Sequence, residues 1–473
     1  MGNFKDNKSG KTTNRPANAK AQKQFGDAAP SQSRLAALRA LYEVYFNNAY
    51  SNLALDKQLR ETRLSEEDRR LATNIFYQAI EHRNKTDYIL GVYIETAPDN
   101  IIVCILHVAV AQLLYLDRIP DHAAVNEAVN QTKLYKKQEA SGFVNGVLRQ
   151  LLRDKEAGKL REPDRSDLMK YLEIEYSASS DTVQLLTEAY GEAEAEQILA
   201  YRPENRFETI RTNILHSSDG ETEAFLNEKG FEWQASLVPH CYRVYKAGNL
   251  SKTKQYSEGL YSIQGESAVL AALAAKAHRG MSVLDTCAAP GGKAFMLGEV
   301  MQGTGRVYAW DLHEHRVELI KNGAKRLKLD NIRCSVKDAT VVRNEMLQSV
   351  DTVIIDAPCS GLSVMADKPD IKYHLTKAKL SEITETQQKL LDTCSEYVKV
   401  GGALVYSTCT ILPQENGEQI KRFLDSHPNF KLDDDVSYLP EQLISRAKGG
   451  MVQFLPNRDG IEGFFIARMV RMA

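Results

Sequence analysis

Apolar positions recur at helical spacing from Leu35 onward. Leu35, Leu38, Tyr42 and Tyr45 form one stripe, and Phe143, Val144, Val147, Leu148, Leu151 and Leu152 form another. Ser65 followed by Glu66, Glu67 and Asp68 predicts a capped, acidic first turn. Pro98-Asp99 starts a further helix, and Pro120-Asp121 separates it from the next. Residues 34–154 are therefore expected to form an all-helical domain. Residues 155–205 are polar and acidic and predict a connector with one or two helices. Between Phe207 and Tyr256 the pattern turns β-rich, at Phe207–Ile214 and Tyr242–Lys246, around a helical stretch from Thr222 to Lys229. A small α+β module follows from this, and with the connector it occupies residues 155–262.

From residue 263 to 473 short apolar strands alternate with helices. The strands are expected at Ser282–Asp285, Arg306–Asp311, Ile332–Val336, Val350–Asp356, Ala403–Ser407 and Gly463–Arg468. That alternation predicts an α/β domain with a doubly wound, mostly parallel, Rossmann-like sheet. Residues 1–33 carry almost no large apolar side chains and are expected to stay disordered.

Charge changes the picture only when divided. The whole chain is near neutral, with 60 Lys and Arg against 62 Asp and Glu. Residues 1–153 hold 21 basic and 16 acidic side chains, whereas residues 154–250 hold 11 and 19. The first excess lies in the first 34 residues, which carry seven basic and two acidic groups. Such an arm either binds nucleic-acid phosphate or merely solubilises the chain, and charge alone does not choose. The run Ile101–Leu116 is too short to span a bilayer and contains His107 and Gln112, so a core helix is expected. Seven cysteines without a C-x-x-C pair, and no secretory signal at the start, predict reduced thiols and a cytoplasmic protein. The ten histidines lack zinc-ligand spacing, so no metal is expected. Nothing demands more than a monomer.

The chemistry concentrates in the last domain. Val283-Leu284-Asp285 runs into Thr286, Cys287, Ala288, Ala289, Pro290, Gly291, Gly292 and Lys293 and then a helix. Small residues at a strand-to-helix turn let a ligand approach the backbone, and the helix N-terminus favours negative charge. The next strand ends in Asp311, placed to accept from ribose hydroxyls. The turn is neither G-x-G-x-x-G nor a Walker loop, which disfavours NAD and ATP. Asp338 ends the next strand and either contacts an adenine amino group or, as a lone strand-end Asp more often does, caps a helix. Two cysteines then follow strands: Cys359 within Asp356-Ala357-Pro358-Cys359-Ser360-Gly361, and Cys409 within Tyr406-Ser407-Thr408-Cys409-Thr410. A single cysteine is usually a small buried hydrophobe. Two of them on the ligand edge of one sheet suit addition to C6 of a pyrimidine, which makes C5 nucleophilic. Cys104, Cys334 and Cys394 read as core, and His313-Glu314-His315 as surface.

These segments resemble the RNA cytosine-C5 methyltransferases of the Sun/NOL1/NOP2 family. The matching stretches are Cys287–Lys293, Asp356–Gly361 with Pro369-Asp370-Ile371-Lys372, Ser407–Thr410, Gly463-Phe464-Phe465 and Ile263–Ser267. Phe143–Arg149 is similar to the last helix of NusB-type RNA-binding domains, and the combination resembles bacterial 16S ribosomal RNA methyltransferases. The resemblance implies S-adenosylmethionine as cofactor, held by Cys287 to Lys293, Asp311, Asp338 and Asp356. It also implies Cys409 as nucleophile, Cys359 as the group assisting adduct breakdown, and Asp356 and Lys293 at the reacting centre. The implied partner is 16S ribosomal RNA or a small-subunit assembly intermediate. Two positions depart from the pattern: Gly265 stands where Asp is usual and Ala294 where Thr is usual.

Overall fold

The computed structural model describes residues 30–473. Apart from residues 30–33, the expected N-terminal arm lies outside the described residues. The described chain forms two compact units.

The first unit is helical: α1 (Gln32–Phe46), α2 (Ser51–Glu61), α3 (Glu66–Glu81), α4 (Arg83–Leu90), α5 (Asn100–Tyr115), α6 (Asp121–Leu134) and α7 (Ser141–Glu156). It begins slightly before residue 34. Ser33 is already buried in α1, and the Ser31 amide is anchored by the Glu127 carboxylate at 3.0 Å. The Ser65 hydroxyl caps α3 by accepting from the Asp68 amide at 3.1 Å. The apolar run becomes α5, buried from Ile102 to Leu113. Its polar residues are paired there. His107 lies 2.9 Å from Asp87 and 3.2 Å from the Tyr45 hydroxyl, and Gln112 donates to the Val108 carbonyl at 2.8 Å. No helix among the described residues is long and apolar enough to cross a membrane.

The connector holds more helix than expected: α8 (Leu168–Glu175), α9 (Ser180–Tyr190) and α10 (Glu192–Ala200). Its polar composition hid the short stripe of Val183, Leu185, Leu186, Ile198 and Leu199, all of them buried. The α+β module follows as β1 (Phe207–Thr212), α11 (Asp219–Glu228), β2 (Glu232–Ala235), β3 (Cys241–Tyr245) and β4 (Tyr261–Ile263). They make an antiparallel sheet in the order β2-β3-β1-β4. The Ser218–Glu221 capping box starts α11 three residues before the apolar pattern does.

The remaining elements are α12 (Glu266–Leu273), β5 (Ser282–Asp285), α13 (Gly292–Val300), β6 (Arg306–Asp311), α14 (Glu314–Arg326), β7 (Ile332–Val336) and β8 (Val350–Asp356). After these come α15 (Lys377–Ser395), β9 (Val398–Thr408), α16 (Gly417–Ser426), β10 (Phe430–Leu432), β11 (Ala447–Lys448), β12 (Met451–Phe454) and β13 (Phe464–Arg471). The sheet runs β11-β12-β13-β9-β8-β5-β6-β7, with β10 also paired to β13. Only β5 to β9 are mutually parallel, and the pairings of β10 to β13 are antiparallel. The sheet is therefore mixed rather than mostly parallel. The nine residues between β12 and β13 are too few for a parallel crossover, so the chain must return antiparallel. Along β8, Val353 and Ile355 pack into one layer and Ile354 into the other, so both faces are covered. Strand order reverses at β5, which pairs with β6 on one side and β8 on the other. Ligands of such sheets bind at the strand carboxyl ends beside that switch point.

Candidate active site

The turn after β5 is shaped for a ligand. Gly291 has φ +114°, and a Cβ there would stand 2.2 Å from the Phe295 ring, so glycine is required before α13 can start. Gly292 is the first residue of that helix, and a Cβ on it would press on the Gln264 side chain at 3.3 Å. Ala288 is buried, its amide bonded to the Trp310 carbonyl at 2.8 Å. Ala289 and Pro290 complete the turn. The Cys287 thiol packs against the apolar layer below β5, and burial pushes it up to about 12. The thiol therefore keeps its proton near neutral pH.

Three carboxylates lie at or just beyond the ends of β5, β6 and β7. Asp285 is fully buried, neither oxygen has a donor at full hydrogen-bond geometry, and burial raises it to about 7 against the offset of Lys293. Asp311, at the end of β6, accepts from the amides of Ala289 (3.3 Å) and His313 (3.2 Å), with Arg316 at 3.4 Å. Asp338 lies two residues beyond β7. It accepts from the Thr340 amide (2.9 Å) and hydroxyl (2.6 Å), bonds that hold it below the usual carboxylate range.

Lys293, in the first turn of α13, reaches the Asp356 carboxylate at the end of β8 with Nζ–Oδ2 of 2.7 Å. The other Asp356 oxygen accepts from the Ser407 hydroxyl at 2.9 Å, and the Lys293 ammonium lies 5.3 Å from the Phe464 ring centre. Beyond this pair the loops after β8 and β9 bring Cys359 and Cys409 together, with 3.3 Å between sulfurs. The two thiols differ sharply. Cys409 is lowered, first by the hydrogen bond from Cys359 and further by Lys293 and Lys368. Cys359 is raised well above an ordinary thiol, first by the same bond and then by burial. Either sulfur has the geometry to donate, and Cys409 is the thiol held lower.

The family of 16S rRNA methyltransferases RsmB/F matches residues 271–470, and the NusB family matches residues 31–153. The chain is 35% identical over 442 residues to the probable ribosomal RNA small subunit methyltransferase B of Bacillus subtilis, covering 92% of this chain and 97% of that protein. It belongs to that methyltransferase B family. The solved structure of PH0851 is similar over 93% of this chain and 99% of its own, with TM-score 0.76 and 25% identity. NSun6 from Pyrococcus horikoshii, solved with SFG, shares the fold with TM-score 0.56 and 18% identity, over 62% of this chain and 98% of that one.

A methyltransferase of this family needs room for S-adenosylmethionine, and the residues present fit it. Asp285 is a buried carboxylate with no donor at full hydrogen-bond geometry, the Gly291-Gly292 turn opens α13 beside it, and Asp311 closes the adjacent strand. The switch point gathers Cys287 to Lys293, Asp311, Asp356, Cys359 and Cys409, while the Asp338 side chain is turned into its own loop. Ala294 is fully buried in the apolar layer. Gly265 is explained by Glu462, whose carboxylate accepts from the amides of Glu266 (3.2 Å) and Ser267 (3.1 Å) at the start of α12. Sequence reasoning missed Glu462 and Glu415. Only the string Pro413-Gln414-Glu415-Asn416 directly after the Cys409 strand could have drawn attention to the latter. Among the described residues no group of His, Cys, Asp or Glu side chains could hold a metal ion.

Proposed function

We propose that this chain methylates C5 of a cytosine in small-subunit ribosomal RNA, with Cys409 as the covalent nucleophile. What carries this reading is the 3.3 Å Cys359–Cys409 contact with its unequal thiols. A DNA-type assignment, with Cys359 as nucleophile, would want the opposite polarity.

When bound, S-adenosylmethionine supplies an electrophilic methyl group. The Cys409 sulfur adds to C6, and the electron pair displaced from the C5–C6 bond makes C5 the nucleophile that takes the methyl. Asp356, oriented by Lys293 and Ser407, faces the base and stabilises the adduct. Loss of the C5 proton then expels the sulfur, restores the double bond and returns Cys409 as thiolate. Cys359 stands beside that sulfur to assist the breakdown. Cys287 to Lys293, Asp311, Asp338 and Asp356 are the proposed cofactor contacts, and the target base is displaced from its stack to reach the cleft. The domain spanning residues 34–154 adds RNA binding, consistent with its match to the NusB family.

The test uses wild type, Cys359→Ala and Cys409→Ala with labelled S-adenosylmethionine and unmodified 16S rRNA, scoring methyl transfer and denaturant-resistant protein–RNA complexes. An inactive Cys409→Ala together with a Cys359→Ala that accumulates complex is expected. Loss of complex in Cys359→Ala alone would reverse the two roles. No transfer to rRNA by wild type would remove the substrate assignment.

A further inference from the structure

Glu415 takes no part in the chemistry above, yet it is wholly buried in the loop between β9 and α16. One carboxylate oxygen accepts from the Ser360 amide at 2.9 Å and from Gln387 Nε2 at 3.1 Å; the other accepts from the Ser360 hydroxyl. The Ser360 hydroxyl also lies 2.8 Å from that of Thr410. Ser360 directly follows Cys359 and Thr410 directly follows Cys409. Gln387, on α15, holds the Pro358 carbonyl at 3.0 Å with the same amide group. The Tyr406 hydroxyl donates to the Glu415 carbonyl at 2.8 Å, and Asn416 Nδ2 donates to the Thr410 carbonyl at 3.0 Å. The residue before one cysteine and the residues after both are thus fastened to this acid or its immediate contacts.

We propose that Glu415 is a positioning residue that clamps the Cys359 loop against the Cys409 loop and so sets the sulfur–sulfur contact used in catalysis. The inference rests on Cys409 being the nucleophile. Burying a carboxylate is costly unless donors satisfy it. Here hydrogen bonds from Ser360, Gln387 and Thr410 counter burial, which raises the group. A glutamine would fill the same volume but lose the charge and offer only one acceptor oxygen, so its NH2 either meets the N–H donors of Ser360 and Gln387 or forces the Ser360 hydroxyl to turn and accept. The clamp would loosen while the packing stayed.

Loosening and loss of charge both lower Cys359, but only loosening raises Cys409, which separates positioning from a mere field effect. The groups acting on Cys409 are Cys359, Asp356 at the end of β8, Lys293 on α13 and Lys368; Glu415 acts through its charge on Cys359. If Glu415 contributed only charge, Glu415→Gln would lower the Cys359 thiol and speed its reaction. If it positions the loops, Cys409 loses the hydrogen bond that lowers it and its titration moves up.

The experiment measures iodoacetamide alkylation of each cysteine in the full chain across pH, resolved by peptide mass spectrometry. Cys409 in Glu415→Gln is expected to titrate about one pH unit higher than in wild type, reacting about tenfold more slowly near neutrality. With rRNA, kcat should fall roughly 10- to 100-fold at little-changed KM. Ser360→Ala, which keeps the acid but removes the hydroxyl bonded to both it and Thr410, should shift Cys409 the same way and carries the test should the glutamine variant fold poorly. A wild-type Cys409 profile in the folded variants, or a faster Cys359 with Cys409 unmoved, overturns the proposal. Absence of rRNA methylation by wild type bears instead on the proposed function, because the thiol profile needs no RNA.

Discussion

Lys293 Nζ stands 2.7 Å from Asp356 Oδ2, so an ion pair joins the first turn of α13 to the end of β8 at the switch point of the sheet. The lysine is nearly buried and is one of the groups that lower Cys409. It holds the Asp356 carboxylate and lowers Cys409, which in the proposed mechanism serves both the group facing the base and the nucleophile. Lys293→Met keeps the stem and removes the charge. Methyl transfer should fall by at least about 100-fold, the scale for loss of one preorganised charged contact. Cys409 alkylation should move to higher pH in the same variant. A drop in transfer with an unmoved thiol would confine the lysine to Asp356.

Gly265 and Glu462 form a second coupled pair. A Cβ on Gly265 would stand 2.7 Å from Glu462 Oε1, the carboxylate that caps α12. Gly265→Asp alone sets a second carboxylate against the first and should cost about 1–2 kcal/mol, the scale of a lost cap. Glu462→Ala should cost a similar amount. In the double variant the introduced aspartate can cap the helix itself, so the two losses should be markedly less than additive in denaturant unfolding. Strict additivity would show that the two sites do not share the cap.

That pair also marks where sequence legibility ends. The absent Asp at Gly265 was visible, but its substitute Glu462 lies 197 residues further along, and no spacing rule connects the two. Ser282–Asp285, Arg306–Asp311, Ile332–Val336 and Val350–Asp356 were all legible, because short apolar strands here sit between clear turns and helices. Phe430–Leu432 and Met451–Phe454 were not, being too short to show alternation and defined by their pairing with β13. Cys359, Cys409, Asp356 and Lys293 stood out because their residue types carry chemistry. Glu415 did not, because an acid in a loop after a strand looks like a solvated surface group until the fold buries it.

The buried ion pair of Arg211 and Glu299 fastens the small sheet to α13, the helix that also carries Lys293. Arg211 Nη2 lies 2.9 Å from Glu299 Oε1, and its Nε donates to Gln264 at 3.0 Å, with both charged side chains fully buried. Arg211→Met leaves the Glu299 charge without compensation and should destabilise by about 3–5 kcal/mol. Replacing both, with Glu299→Leu added, should recover much of that loss. Urea unfolding of the single and double variants decides it, and an equally unstable double variant would mean that the pair itself supplies the stability.

Asp285 gives the molecule a pH signature. Its carboxyl is raised to about 7 by burial, with Asp356 and Asp311 adding to the shift and Lys293 and the Cys287 amide opposing it. In the unfolded chain the same group titrates near its ordinary value of about 4. As pH rises from about 4, the unfolded state releases this proton first while the folded state still binds it. Fewer protons are then bound in the unfolded state, so the Asp285 contribution to stability falls with pH until about 7 and is flat above. Asp285→Asn removes the titration. Its unfolding free energy, compared with wild type at about pH 5 and about pH 7.5, should gain relative to wild type at the higher pH. Parallel pH profiles for the two proteins would mean that the carboxyl is already ionised in the folded state, held by the Lys293 charge more firmly than its burial opposes.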